Sequence, residues 1–175
     1  SRPQNLPKTA MTVETLAAMG RTPYLDLGRR LQDHDRQQID EALEAVGMEE
    51  LRDRPTLALS GGERQRAYLA MVLAQNTRII ALDEPTTYLD MENEALFLSL
   101  ISKLKKERRK TILLVMHDLS KAVEIADNIF ILQNGQKAFF GSSEEAVDAG
   151  IIETTFGVRR SSYERDGVRL PLYYR

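Results

Sequence analysis

Two short apolar segments, separated by one long helical pattern, constrain the fold of this chain more than any other feature. The segments cover residues 78–83 and 111–116 and are apolar at consecutive positions, while residues 92–109 between them repeat apolar side chains at helical spacing. Strand, helix and strand in this order form a βαβ unit with a right-handed crossover. We expect the helix to bury four residues: Leu96, Leu100, Ile101 and Leu104. The sequence therefore predicts an α/β fold whose strand at 111–116 is covered on both faces.

Further helices and a hairpin are predicted on either side of this unit. Residues 12–19 favour a short helix, and the chain remains mostly helical up to the first strand. Asn134 and Gly135 lie between apolar segments and are typical of a type I′ turn, so the chain should return antiparallel at 136–140. A last strand is predicted at 170–174.

Polar residues follow both predicted parallel strands. Asp83 and Glu84 come at the end of the first strand, and His117 follows the second. Active residues in such sheets lie beyond the carboxyl ends of the strands, which places all three along one edge. An acid in that position suits Mg²⁺, which usually retains several waters. The alternative is that the paired acids only cap a strand before the turn at Pro85.

Composition excludes several classes of protein. Lys and Arg total 24 and Asp and Glu total 26, so the net charge of −2 gives no support to a nucleic-acid interface. The chain has no Cys, which excludes a disulfide framework and a thiolate metal site. No apolar run approaches the roughly 18 residues of a membrane span, so any link to a membrane is expected to go through a partner.

The segment 59–66, LSGGERQR, is the most specific local pattern. Two glycines at the start of a helix expose backbone N–H groups, and the positive end of the helix dipole favours an anion there. Ser60 adds a hydroxyl beside Gly61 and Gly62. Ser60 and Glu63 also form the S-x-x-E capping box that starts many ordinary helices. Both roles are compatible, since a capped helix is a rigid platform for a phosphate.

Taken together, the motifs resemble those of ABC ATPases. Residues 59–66 resemble the signature motif, 79–84 the Walker B strand with its catalytic Glu, and 86–90 the D-loop. Residues 116–118 are similar to the switch histidine segment, and Gln4 lies about where the Q-loop glutamine would fall. Glu63 stands where many members have Gln, a variant that should not abolish function. The order and spacing of the set agree with the family over nearly the whole chain.

The resemblance implies a P-loop NTPase (RecA-like) ABC core with a mostly parallel sheet and a helical subdomain. Residues 1–76 would hold the Q-loop, the helical subdomain and the signature helix, 77–160 the second half of the core, and 161–175 a tail. The phosphate loop needs G-x-x-x-x-G-K-[ST], and no Gly-Lys pair occurs in this sequence. That loop should precede Gln4, so we expect the natural start to lie upstream and the 175-residue chain alone to be inactive.

The family also implies roles for individual residues. Two ATP molecules would be sandwiched in a head-to-tail homodimer, with Mg²⁺ held by Asp83 and Gln4. Glu84 would act as general base or orient the attacking water, and His117 would contact the γ-phosphate. Six residues are expected to bind the nucleotide or couple its sites: Gln4, Ser60, Gly61, Gly62, Glu63 and Asp90.

The amino-acid sequences of two short segments narrow the resemblance to one branch of the family. Residues 11–20 and 86–90 are similar to those of ATPase subunits that import iron-siderophores, haem or cobalamin. The implied partners are transmembrane permease subunits and, through them, a substrate-binding protein, with no nucleic acid. The implied location is the cytoplasmic face of a bacterial cell membrane.

Two other functions stay open. A split or degenerate domain would donate only the signature motif to a complete partner, but Asp83, Glu84 and His117 argue against it because such a domain does not need them. A soluble ABC protein of DNA repair or translation would usually carry a coiled-coil insertion or a second nucleotide-binding domain. This chain shows neither of those features.

Overall fold

The computed structural model of the chain describes residues 11–25, 30–108, 110–165 and 167–175. They form two compact units that divide between Leu114 and Val115. The first unit contains the helices α1 (Val13–Met19), α2 (Asp33–Ala45), α3 (Gly61–Ala74) and α4 (Met91–Arg108). Its strand β1 (Ile79–Asp83) pairs with β2 (Thr111–Val115), which ends at the boundary. The predicted division at residues 76 and 160 stays a prediction.

Helices α1, α2 and α3 pack around a common apolar core. The prediction of a helix at 12–19 is confirmed, since Thr12 caps α1 by accepting a hydrogen bond from the Thr15 N–H at 3.2 Å. Gly20 ends α1 against α3, where a Cβ atom would lie only 2.1 Å from the Met71 carbonyl oxygen. The helices can therefore approach this closely only because residue 20 has no side chain. The buried core of the three helices includes Val13, Leu16, Ala17, Ile39, Ala42, Leu43, Leu69, Ala70 and Leu73.

Helix α4 connects β1 to β2, and this pair is the partial parallel sheet of an α/β fold. The predicted burial of Ile101 and Leu104 is confirmed, but Leu96 is 54% exposed and that prediction was wrong. Phe97 takes its place at 2% exposure. The buried face runs through positions 97, 101 and 104, spaced by four and three residues, and Leu96 lies beyond its edge.

The two strands are covered on one face by the described residues. Ile80 is buried, and Ile112 and Leu114 pack against the same core. Leu113, which points to the opposite face, is 57% exposed. The prediction that 111–116 is covered on both faces is therefore wrong for the described residues, because their helices pack against only one side of the alternating strand.

The described residues of the second unit form two antiparallel hairpins and three short helices. Strands β3 (Asn128–Gln133) and β4 (Gln136–Ser142) confirm the predicted hairpin, and Asn134 and Gly135 both have positive φ, as a type I′ turn requires. The final strand is also confirmed, as β6 (Val168–Tyr174), but its partner β5 (Arg159–Arg165) was not predicted. The three helices of the unit are α5 (Leu119–Ile125), α6 (Ser143–Asp148) and α7 (Ile151–Phe156) in the described residues.

Candidate functional site

The amino end of α3 is organised by a reciprocal capping box. The Ser60 Oγ accepts a hydrogen bond from the Glu63 N–H at 3.2 Å, and the Glu63 carboxylate accepts one from the Ser60 N–H at 2.7 Å. Hydrogen bonding from the Ser60 N–H, and then from the Ser60 hydroxyl, holds the pKa of Glu63 below its ordinary value of 4.5, and the charge of Arg54, 3.6 Å away, acts in the same direction. Both Ser60 and Gly61 remain exposed. The capping box and an exposed helix terminus therefore coexist in one segment.

Glu84 has a backbone conformation that is rare for its residue type. It follows β1 with a φ of 42°, in the left-handed region that favours glycine. The Thr87 Oγ1 donates a hydrogen bond to the Glu84 Oε2 at 3.0 Å, and the Thr87 N–H donates to the Glu84 carbonyl at 3.3 Å. Such strained residues concentrate at functional sites and cost about 1–3 kcal/mol each. The turn thus fixes both the backbone and the carboxylate of Glu84.

The α3 terminus and the Glu84 turn border the same cleft. This cleft has a volume of about 290 Å³ and is lined by Gly61, Arg64, Gln65, Glu84, Pro85, Thr87, Tyr88 and Leu89. A helix amino terminus, which attracts anions, therefore lies across a small cavity from a carboxylate. Two segments of the chain, residues 61–65 and 84–89, meet here. The larger cleft of the first unit, of about 570 Å³, is lined mainly by acidic residues of α2 and its surroundings.

Asp90 lies at the start of α4 and connects to the glycines of α3. Its carboxylate accepts hydrogen bonds from the Asn93 N–H at 2.9 Å and from the Asn93 Nδ2 at 3.0 and 2.9 Å. These bonds hold the pKa of Asp90 below its ordinary value. The other face of the Asn93 amide lies against Gly62. The structure therefore brings together two predicted residues, Asp90 and Gly62, through one that was not predicted.

Asn93 could have been found from its spacing. The sequence places it three residues after Asp90, which is the interval of an N-cap residue and its N3 partner. Asn in place of the usual Glu or Gln hides this pattern. Nothing in the local sequence indicates its contact with Gly62, because that contact depends on how α3 packs against α4.

Two further predicted residues lie at or just after the ends of β1 and β2. Asp83 is the last residue of β1 and is exposed. His117 follows β2 in the second unit, where it is also exposed, just before Asp118 caps α5. Gln4 lies outside the described residues. Asp83 therefore reaches the same sheet edge as Glu84, and the predicted roles of Gln4 and His117 stay predictions.

Neither a cluster of metal ligands nor a membrane-spanning helix is found in the described parts of the chain. No group of three or more His, Asp or Glu side chains in them could hold a metal ion by itself. The carboxylate of Asp83 is nevertheless of the kind that suits Mg²⁺, which usually keeps several waters and binds substrate phosphates. None of the described helices is both long enough and apolar enough to cross a bilayer.

A buried ion pair, missed by sequence reasoning, holds the opposite end of α3. The Arg21 Nε donates to the Asp35 Oδ1 at 2.9 Å, and its Nη1 donates to the Ala74 carbonyl oxygen, also at 2.9 Å. Arg21 is 5% exposed and Asp35 is 1% exposed. The Gln32 N–H bond and the Arg21 guanidinium hold the pKa of Asp35 below its ordinary value, although burial opposes this. This network joins the ends of three helices.

Comparison with known proteins agrees with these motifs. Residues 3–87 match the family model of the ABC transporter. The petrobactin import ATP-binding protein FpuD of Bacillus anthracis is 44% identical over 146 residues, which are 83% of this chain and 54% of that protein. The ferric enterobactin transport ATP-binding protein FepC of Escherichia coli strain K12 is 41% identical over 149 residues, covering 85% of this chain and 55% of that protein. The chain thus spans a little more than half the length of these relatives.

Solved structures show the same fold. A metal-chelate type ABC transporter in an inward-facing conformation superposes with a TM-score of 0.86 at 24% identity, covering 97% of this chain and 68% of that one. The protein cbiO1 of Clostridium perfringens, part of the ABC transporter complex cbiONQ, superposes with a TM-score of 0.69 at 27% identity, covering 83% and 56%. On the motifs, the relatives and the fold together, the chain belongs to the ABC transporter family.

Proposed function

We propose that the protein is the ATP-binding and ATP-hydrolysing subunit of an importer for a metal chelate of the iron-siderophore, haem or cobalamin type. The observation that carries the proposal is the cleft between the α3 terminus and Glu84, which sets an anion-attracting helix end beside a carboxylate. The functions for which the relatives are named, import of petrobactin and transport of ferric enterobactin, support the substrate class.

The exposed turn at the start of α3 acts as the phosphate contact. Ser60 offers a hydroxyl, and the first turn of the helix offers backbone N–H groups and the positive end of a dipole. On the resemblance to ABC ATPases, we propose that in a full-length homodimer the phosphates rest on the phosphate loop of one subunit. Ser60, Gly61, Gly62 and Glu63 of one subunit then close the nucleotide site of the other.

Glu84 acts on the water that attacks the γ-phosphate. Its carboxylate is oriented by Thr87 and by a backbone that the surrounding turn holds in the left-handed region. ATP supplies the phosphoryl group; Asp83 and Gln4 would hold Mg²⁺, which would supply positive charge next to the phosphate oxygens. His117 contacts the γ-phosphate and helps to position the water. Such positioning and electrostatic stabilisation supply most of the catalysis of phosphoryl transfer.

The assembly that follows is a homodimer on transmembrane permease subunits, at the cytoplasmic face of the membrane. The permease in turn receives its cargo from a substrate-binding protein. Gln4 links the nucleotide to the helical subdomain, and Asp90 couples the two sites of the dimer. The import function named for the relatives supports permease partners for this chain.

Turnover of ATP by the full-length protein tests the proposal. Glu84→Gln keeps the size of the side chain but removes its charge, so Mg²⁺-dependent hydrolysis should fall by at least about 100-fold, the lower range of a general-base contribution. Glu50→Gln removes the same charge at an exposed position outside the cleft and should hydrolyse ATP like the wild type. Equal turnover in Glu84→Gln and Glu50→Gln would overturn the proposed role of Glu84.

A further inference from the structure

The side-chain amide of Asn93 lies between two residues of the site and has only one orientation that suits both. Its Nδ2 donates to both carboxylate oxygens of Asp90, at 3.0 and 2.9 Å. Its Oδ1 consequently faces Gly62, where an added Cβ atom would lie 2.0 Å from Oδ1 and 2.5 Å from Cγ. A carboxylate only accepts hydrogen bonds, so it selects the NH₂ group and turns the oxygen towards α3.

Gly62 is buried beneath this amide, while its neighbours Ser60 and Gly61 are exposed. The amide therefore packs on the inner side of the same helical turn whose outer side borders the cleft. The Asn93 N–H also donates to the Asp90 Oδ1 at 2.9 Å, and rotation of the Asn93 side chain would break both of its Nδ2 bonds to Asp90. The position of the first turn of α3 thus depends on the Asp90 carboxylate.

We propose that Asn93 is a positioning residue that couples Asp90 to Gly62 and thereby sets the phosphate-facing turn of α3. This inference rests on the proposed function. In this view, position 62 must be glycine because the Asn93 amide of the same subunit fills the space that a side chain would need. Any side chain at position 62 must displace Asn93, which breaks the Asn93–Asp90 bonds and shifts the turn.

A double-mutant cycle in the full-length protein tests the coupling. Gly62→Ala alone should lower both kcat and the melting temperature, because its methyl group collides with an amide that is held in place. In an Asn93→Ala background the same change should cost at least about 10-fold less in kcat, a coupling within the range of contacting residues. The change should there also lower the melting temperature less, because only the 3.1 Å approach to the Cβ atom of residue 93 remains.

The Asn93→Asp variant tests the hydrogen bonds of Asn93 to Asp90 separately from its packing against Gly62. The variant keeps the size of the side chain but replaces the donor NH₂ by an acceptor that repels Asp90. We expect kcat to fall on the order of 10-fold and the KM for ATP to stay close to that of the wild type, while the lost bonds and the repulsion lower the melting temperature. Asn128→Ala, an exposed asparagine of the second unit, serves as the control background, in which the cost of Gly62→Ala should be unchanged.

The outcomes distinguish this inference from the proposed function. Additive effects of Gly62→Ala and Asn93→Ala on both kcat and melting temperature would overturn the coupling. So would an Asn93→Asp variant with wild-type kcat. A Glu84→Gln variant with full turnover would instead overturn the proposed hydrolytic role, while non-additive melting temperatures would still confirm the contact between Asn93 and Gly62.

Discussion

The two ends of helix α3 are built in opposite ways. At its carboxyl end the guanidinium of Arg21 binds the carbonyl of Ala74 and pairs with Asp35, all within the buried core. At its amino end Ser60 and Gly61 are exposed beside a cleft. The same helix, roughly 20 Å long, therefore runs from a buried anchor to an open terminus.

The two ends of α3 therefore have different roles: the buried end stabilises the fold, and the exposed end is available for function. A cation at the carboxyl end complements the negative end of the helix dipole. Because the ion pair is buried, loss of either partner leaves an uncompensated charge. The positive end remains accessible to an anion. Substitutions at the anchor should therefore act on folding, and substitutions at the open terminus should act mainly on turnover.

Removing the anchor should give the largest loss of stability. Asp35→Ala leaves the guanidinium of Arg21 buried without its acid and should lower the free energy of unfolding by about 3–5 kcal/mol. Asp33→Ala removes an exposed acid from the same first turn of α2 and should cost far less. Urea unfolding of both variants checks the difference. If Asp35→Ala were no less stable than Asp33→Ala, the anchor would not be a determinant of stability.

Because the backbone at Glu84 is strained, we expect glycine to be more stable than alanine at this position. At a φ of 42°, Glu84→Gly should be about 1 kcal/mol more stable than Glu84→Ala, although glycine is usually the less stable of the two. Both variants lose the bond from Thr87, so that loss cancels in the comparison. Thermal unfolding of the two variants is the measurement, and a more stable alanine variant would show that the backbone at this position is unstrained.

Loss of the cap should have a moderate effect at the open end. Ser60→Ala removes the hydroxyl that accepts from the Glu63 N–H and should lower the free energy of unfolding by about 0.5–2 kcal/mol. Ser60→Gly, a better N-cap than alanine, should recover most of that loss. Denaturant titration compares the three proteins. A pure capping role would leave the turnover of folded Ser60→Ala unchanged, whereas a phosphate contact requires turnover to fall.

The smallest expected effect is the pH dependence of the stability that Glu63 contributes. Folding lowers the pKa of Glu63 below 4.5, so its contribution is complete above that value and is lost as the pH falls through the folded-state pKa. The stability difference between wild type and Glu63→Gln should therefore shrink on acidification from pH 6 towards about pH 3. The cause is protonation of the carboxylate that accepts the Ser60 N–H. A difference that is constant across this window would contradict the assigned bond.

Sequence reasoning succeeded where the determining interactions are local. The capping box joins residues three apart, and the hairpin turn depends on two residues that tolerate positive φ. The strand β5 was missed because Arg159–Arg165 is mostly polar and forms only by pairing with β6. Local patterns carry no record of such a distant partner.

The site was predictable in its residues and unpredictable in its contacts. Ser60, Glu63 and Glu84 could be selected from the sequence, but the positive φ of Glu84 runs against the preference of glutamate. The Arg21–Asp35 pair spans 14 positions and the contact of Asn93 with Gly62 spans more than 30, so each depends on helix packing. Those contacts required the structure.

ATP-dependent assembly of the full-length Glu84→Gln protein tests most directly whether the open end of α3 completes a nucleotide site. Blocked hydrolysis should trap the sandwich, so light scattering during size-exclusion chromatography should show a dimer with ATP and a monomer without it. Adding Ser60→Arg should abolish the dimer, because a bulky cation then occupies the phosphate-facing turn, while adding Ser60→Ala should weaken it less. A Glu84→Gln protein that stays monomeric with bound ATP, or a dimer that tolerates Ser60→Arg, would contradict the account.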